Sequence, residues 1–166
     1  MKDFESLYGE YFPKVYNYIY YRLLDRDRAD DLASEVFMRA FEKLHTYDEG
    51  KAKLSTWVFS IARNALIDEL RRKKDAVSLD EDDRPDVPSD FDVQLEYIKS
   101  EERRALYALL ARINARDRDI IAMKYFAGMT NRGIAAELGM NESTVSSVLF
   151  NTIGKLREGM KGFRVI

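Results

Sequence analysis

The chain has 166 residues, 46% of them hydrophobic, with 27 Lys and Arg against 29 Asp and Glu, one His and no Cys. That length admits one large domain or two small ones with a packed core, and the missing Cys excludes a disulfide framework, a thiol nucleophile and a Cys-ligated zinc. A His-based metal site or a Ser/His/Asp triad would have to use His45, which sits among Leu44, Thr46 and Tyr47 as at a helix end, and no apolar run reaches about 18 residues and no export leader stands at the N-terminus, so the expectation is a cytoplasmic protein without membrane insertion.

In chain order, Phe4, Leu7, Tyr8, Tyr11, Val15, Tyr18, Ile19 and Leu23 recur at helical spacing, with Pro13 as a kink or break. A second helix is predicted from about Arg28 to Leu44, with Leu32, Val36, Phe37, Ala40, Phe41 and Leu44 on its apolar side. The polar stretch Tyr47 to Lys53, with Gly50, reads as a loop. From Leu54 to Lys74 a long helical pattern follows. Leu54, Trp57, Val58, Ile61 and Ala65 face a core in it, while Ser60, Arg63, Asn64, Arg71 and Lys74 line up along one side. Cations suit phosphate oxygens, and Asn and Ser suit base edges, so this side reads as a nucleic-acid surface or, more blandly, as a solvated face with a basic C-terminal end.

Charge then changes abruptly. Residues 1–74 hold 14 basic and 13 acidic side chains, 75–96 hold 1 and 9, and 97–166 hold 12 and 7. The middle segment carries two of the three prolines and no sustained periodicity, so it reads as a flexible acidic linker. Beyond it, a helix beginning near Tyr97 carries Leu106, Leu109, Leu110 and Ile113, and another spans about Arg116 to Ala127 before Gly128. TNRGIAAELGMNESTVSSVLFNTIGKL then reads as two helices with a tight turn at Gly139 and Asn141 capping the second, a helix-turn-helix pattern. Ile134, Ala135 and Leu138 are placed against Val145, Leu149 and Leu156. Ser143, Ser146, Ser147, Phe150, Asn151 and Gly154 fall on the outward side of the second helix, beside Thr144 and Lys155. Gly133 and Gly154 look like helix-interior defects, each costing up to about 1 kcal/mol relative to Ala. The fold class is thus all-α: an N-terminal helical bundle (1–74) and a C-terminal helix-turn-helix domain (97–166) joined by the linker (75–96).

In order and spacing, RADDLASEVFMRAFEKL with LSTWVFSIARNALIDELRR, and then ARDRDIIAMKYFAGMTNRGIAAELGMNESTV, resemble bacterial RNA polymerase sigma factors of the extracytoplasmic-function (ECF) type over nearly the whole chain. The resemblance implies an alternative sigma factor without cofactor or metal, whose partners are core RNA polymerase, promoter DNA and, as a further candidate, an anti-sigma factor. It assigns polymerase docking to Asp31, Leu32, Glu35 and Phe37, although Leu32 and Phe37 are of a kind more often simply core. It assigns the minus-ten element to Lys51, Lys53, Ser60, Arg63, Asn64 and Arg71. The minus-thirty-five element falls to Ser143, Thr144, Ser146, Ser147, Phe150, Asn151 and Lys155, a face with fewer Lys and Arg than the family commonly places there. Ser34 stands where the family often has Gln, and the linker is suited to a basic polymerase channel.

No phosphate-cradling glycine loop, HExxH or nucleophile with a base is present, so catalysis belongs to the polymerase. Two other readings stay open: a stand-alone helix-turn-helix regulator, which usually binds as a symmetric dimer, and a sigma-like adaptor without strong DNA binding. Packing of the two domains on each other would hide Arg63 and Asn64.

Overall fold

The computed structural model describes residues 3–76, 91, 95 and 98–163, with residues 73–76 described by their helical backbone alone. Seven α-helices run through them: α1 (Phe4–Leu23), α2 (Arg26–Lys43), α3 (Leu54–Ala76), α4 (Glu101–Ala111), α5 (Ala115–Tyr125), α6 (Asn131–Leu138) and α7 (Glu142–Gly159). A short 3-10 turn, Leu44–Thr46, follows α2 and holds the exposed His45.

Local chemistry sets most helix starts. Asp3, Asp25, Ser100, Asn114 and Thr130 each stand at an N-cap in extended conformation, and their side chains accept a backbone N–H three residues on. Asn141 takes the N-cap position of α7, yet its side chain makes no capping bond. Gly139, at φ 63°, closes α6 in the left-handed conformation that a Cβ disfavours. Gly133 is a defect of a milder kind than its sequence position suggests, because it lies in the first turn of α6 and its N–H is the group that Thr130 Oγ1 caps at 3.0 Å.

Pro13 does not break α1, which runs unbroken from Phe4 to Leu23. A proline in a helix interior costs about 3 kcal/mol, whereas each fully buried large aliphatic side chain returns about 1.5–3 kcal/mol. Leu7 lies before Pro13 and Val15, Ile19 and Leu23 after it, all almost wholly buried in one core, so burial on both sides outweighs the lost bond. The turn into α2 follows the same logic. Leu24 adopts φ 55°, a strain of about 1–2 kcal/mol for a residue with a Cβ, and its side chain is completely buried.

α1, α2 and α3 pack as an N-terminal bundle, tied also by an ion pair between Arg28 and Glu69. α4 to α7 form the second set, with the helix-turn-helix of α6 and α7 on α5. α1 also packs along α5, so one apolar core runs through both sets. Within the segment read as the linker, Asp75 and Ala76 continue α3, Phe91 is buried in that core and Leu95 packs against it; the other residues of the linker expectation lie outside the described residues.

Candidate polymerase and nucleic-acid surfaces

The loop before α3 is organised by its own side chains. Tyr47 donates its hydroxyl to the Ala52 carbonyl at 3.0 Å, Asp48 accepts the Gly50 N–H at 2.9 Å, and the Tyr47 ring lies 5.4 Å from that of Trp57. Trp57 is partly buried against the core, as its spacing implied. Lys51 and Lys53 are thereby held exposed at the mouth of α3. Along α3, Ser60, Asn64 and Arg71 are exposed, with the Ser60 hydroxyl bonded to the Trp57 carbonyl at 2.6 Å. The Lys74 side chain lies outside the described residues.

Arg63 differs from its neighbours. Its Nη1 is 2.7 Å from Glu137 Oε2, and its Nη2 donates to the Glu137 carbonyl at 3.1 Å, so the second helical set covers it. Asn64, by contrast, stays exposed. Nearby, Arg22 pairs with Asp119 at 2.7 Å, with 6% and 23% of their side chains exposed. Burial pushes the Asp119 carboxyl above the usual range, against the pull of Arg22, Arg118 and Arg63. The Tyr18 hydroxyl beside this group is also raised, first by burial and then by the Asp119 charge.

On α2, Asp31 is exposed, while Glu35 forms an ion pair with Arg39 one turn on. Leu32 and Phe37 are core residues, 4% and 2% exposed, and so cannot offer area to a partner. Phe37 faces the α1 ring cluster, where it meets Tyr8 at 5.2 Å and Phe12 at 5.5 Å. The apolar side chains that α2 does present are Met38 and Phe41, 66% and 63% exposed, and α1 adds Tyr8. A period of 3.6 marks which residues are apolar together; it does not say which edge of a wide apolar stripe stays uncovered.

On α7, Ser143, Ser146, Ser147, Phe150, Asn151, Gly154 and Lys155 are exposed and Thr144 half-buried, while Val145, Val148 and Leu149 face the core. Phe150 is 82% exposed. Ser146 accepts from Asn131 Nδ2 at 3.1 Å, which ties this helix to the first helix of the motif. Among the described residues no group of three or more His, Cys, Asp or Glu is placed to hold a metal ion, and no helix is long and apolar enough to cross a membrane.

Two family models match: Sigma-70 region 2 over residues 7–76, which are α1 to α3, and Sigma-70 region 4 over residues 103–156, which hold the helix-turn-helix. Curated relatives match both parts together. The ECF RNA polymerase sigma factor RpoE of Cereibacter sphaeroides is 29% identical over 95% of this chain and 86% of its own length. The chain belongs to the ECF sigma factors. The sigma factor SigX of Bacillus subtilis is a further relative, 28% identical over 98% of this chain and 86% of its own. The fold is also that of a solved sigma factor RpoE from Bartonella quintana, crystallised with the anti-sigma factor NepR, at TM-score 0.69 and 21% identity over 99% of this chain and 100% of that one. CnrH, solved with the cytosolic domain of CnrY, follows at TM-score 0.60 and 18% identity over 97% and 89%.

In this sigma factor the exposed loop and strip of α3 lie in region 2, and the exposed face of α7 lies in region 4. Sequence reasoning missed the partners of Arg63, and it passed over Arg22, Asp119 and Glu137 altogether. Only the composition of α1 held a hint: an Arg amid aromatic residues on an otherwise apolar side.

Proposed function

We propose a division of labour within this alternative sigma factor, which binds core RNA polymerase and directs promoter-specific transcription initiation. Residues 1–74 dock on polymerase and open the minus-ten element, 75–96 form the acidic connector, and 97–166 read the minus-thirty-five element. The observation that carries the reading is one chain holding both an exposed Lys51, Lys53, Ser60, Asn64 and Arg71 strip in region 2 and an exposed polar α7 face in region 4.

Opening a duplex exposes bases whose edges are unreadable while stacked, at a cost of a few kcal/mol for each flipped base. Lys51, Lys53 and Arg71 offset that cost through phosphate contacts, with Asn64 and Ser60 placed for base edges. Arg63 joins them once released from Glu137. For polymerase, Asp31 supplies charge and Met38 and Phe41 supply apolar area, with Glu35 contributing through its pair with Arg39. Leu32 and Phe37 act by holding the shape of α2. On α7, hydroxyls, Asn151 and Phe150 leave Lys155 and Arg157 near its end as the cations, so duplex affinity from this helix is modest and thymine methyl contact by Phe150 is favoured.

Its connector, with 9 acids against 1 base, suits a basic channel. The work is set in the cytoplasm with the polymerase, which carries all the catalysis. An anti-sigma factor is a further partner, as in the solved complex of the similar RpoE with NepR.

Run-off transcription with purified core polymerase on a genomic-fragment library tests this. Transcripts that require the protein and are lost in Asn64→Ala and in Asp31→Ala/Met38→Ala/Phe41→Ala are the expected result. Core binding without any transcript would favour the adaptor reading, and no core binding would sink the assignment of α2.

A further inference from the structure

We propose that the packing of the two helical sets is a self-masked state of this protein, in which Glu137 at the end of α6 occupies Arg63 in place of a nucleic-acid phosphate. The inference rests on the reading of Arg63 as a minus-ten contact and adds what controls it.

The fork of Arg63 is filled by two oxygens of one residue, the Glu137 carboxylate at 2.7 Å and its main-chain carbonyl at 3.1 Å. A phosphodiester presents the same chemistry: negative charge and two acceptor oxygens within reach of one planar guanidinium. Glu137 is the penultimate residue of α6, where the helix dipole adds further negative potential. A guanidinium gripped in this way cannot also clamp a phosphate. The mask is selective, because Ser60 and Asn64 on the same side of α3 remain exposed. One cation of the strip is withheld, while Lys51, Lys53 and Arg71 and the groups that read bases stay open.

Other contacts hold the mask in place. Arg22 meets Asp119 at 2.7 Å, the Tyr21 and Phe126 rings lie 4.1 Å apart, and Tyr107 stands 5.2 Å from both Tyr20 and Tyr21. These groups join α1 to α4 and α5 through largely buried surface. The Arg63–Glu137 pair, with 18% and 44% of the side chains exposed, contributes little to closure by itself. Closure is therefore set by the aromatic and Arg22–Asp119 contacts, and the competition with DNA is set by Glu137. A ligand that binds only the separated arrangement has its apparent affinity reduced by the fraction of molecules in that arrangement.

The test uses the full chain, whose lack of cysteine allows donor and acceptor dyes at Glu5→Cys and Arg103→Cys, with a short fluorescent single-stranded oligodeoxynucleotide as probe. Asp119→Ala should lower energy transfer and tighten probe binding by about tenfold or more. Glu137→Gln should tighten it a few-fold with energy transfer almost unchanged, while Glu158→Gln, an exposed acid elsewhere, should change it less than twofold. Arg63→Ala should erase both gains. Circular dichroism checks that the variants keep their helices, and Phe126→Ala replaces Asp119→Ala if that variant does not. Probe binding to the unaltered protein without a fall in energy transfer would overturn the proposal. So would separation of the sets with no gain in affinity; if Arg63→Ala still weakens binding there, the minus-ten reading of Arg63 survives. No effect of Arg63→Ala in any background would remove that reading and the proposal together.

Discussion

Replacing Asp119 by Ala removes the carboxylate that faces a buried guanidinium. Arg22 has 6% of its side chain exposed and Asp119 23%, and the two meet at 2.7 Å. Removing one partner of a buried pair costs about 3–5 kcal/mol, because the remaining charge keeps its desolvation penalty and loses its compensation. Asp119 keeps 23% of its side chain exposed, so solvent screens part of the remaining charge's cost, which places the loss at the low end, about 3 kcal/mol. For a chain of this size that is a fall of roughly 6 to 12 °C in Tm. The assay is urea unfolding followed by the single Trp, Trp57 on α3, alongside circular dichroism, which averages over both helical sets. A companion variant sharpens it. Arg22→Met/Asp119→Leu fills the same space without charge and should recover most of the loss, since buried pairs are often matched by apolar residues of similar volume. A loss under about 1 kcal/mol in Asp119→Ala, the scale of an exposed pair, with no recovery in the double variant, would refute the claim that Arg22 is desolvated by the packing of α1 on α5.

Carbon-13 NMR titration of the Asp119 carboxyl should give a midpoint above 3.8, since Arg22, Arg118 and Arg63 lower it less than burial raises it, with Tyr18 also facing the group. A raised value means that the closed form binds the proton more tightly, so closure gains a protonation-linked increment that is full below pH 3.8 and lost as pH rises through the raised value, above which the ion pair with Arg22 is what remains; a midpoint at or below 3.8 would contradict it. A Cβ at Gly9 or Gly154 meets nothing within 4 Å, whereas one at Gly159 meets Leu109 Cδ2 at 2.7 Å. Thermal melts should therefore show Gly9→Ala and Gly154→Ala gaining about 0.5–1 kcal/mol and Gly159→Ala gaining none. If Lys51 and Lys53 both contact phosphate, Lys51→Ala/Lys53→Ala should flatten the salt dependence of single-strand binding by about 1.4 in slope, and an unchanged slope would remove them from the site.

Helix type, order and approximate ends were legible in the sequence because their causes are local. Apolar residues recur every 3.6 positions, and Gly139 closes a helix end within its own turn, whereas Asn141, the N-cap read from the sequence, holds the position without a capping bond. Outward positions on α7 were legible for the same reason, since Val145, Val148 and Leu149 fix which side is buried and Ser143, Ser147 and Phe150 follow. Pro13 does not give the break that was one of its two readings, because the energy that keeps α1 continuous comes from the core beneath it and not from the residues beside it. Leu32 and Phe37 share one stripe with Phe41, and only the packing of the neighbouring helices decides that the first two are covered and the third is largely not. The pairing of Arg22 with Asp119 and of Arg63 with Glu137 leaves no periodic trace, for it joins side chains separated by 97 and 74 positions and exists only because α1 and α3 come to rest against α5 and α6. The chemistry of each surface was thus written locally, and which of its groups are available was decided by how the helices pack.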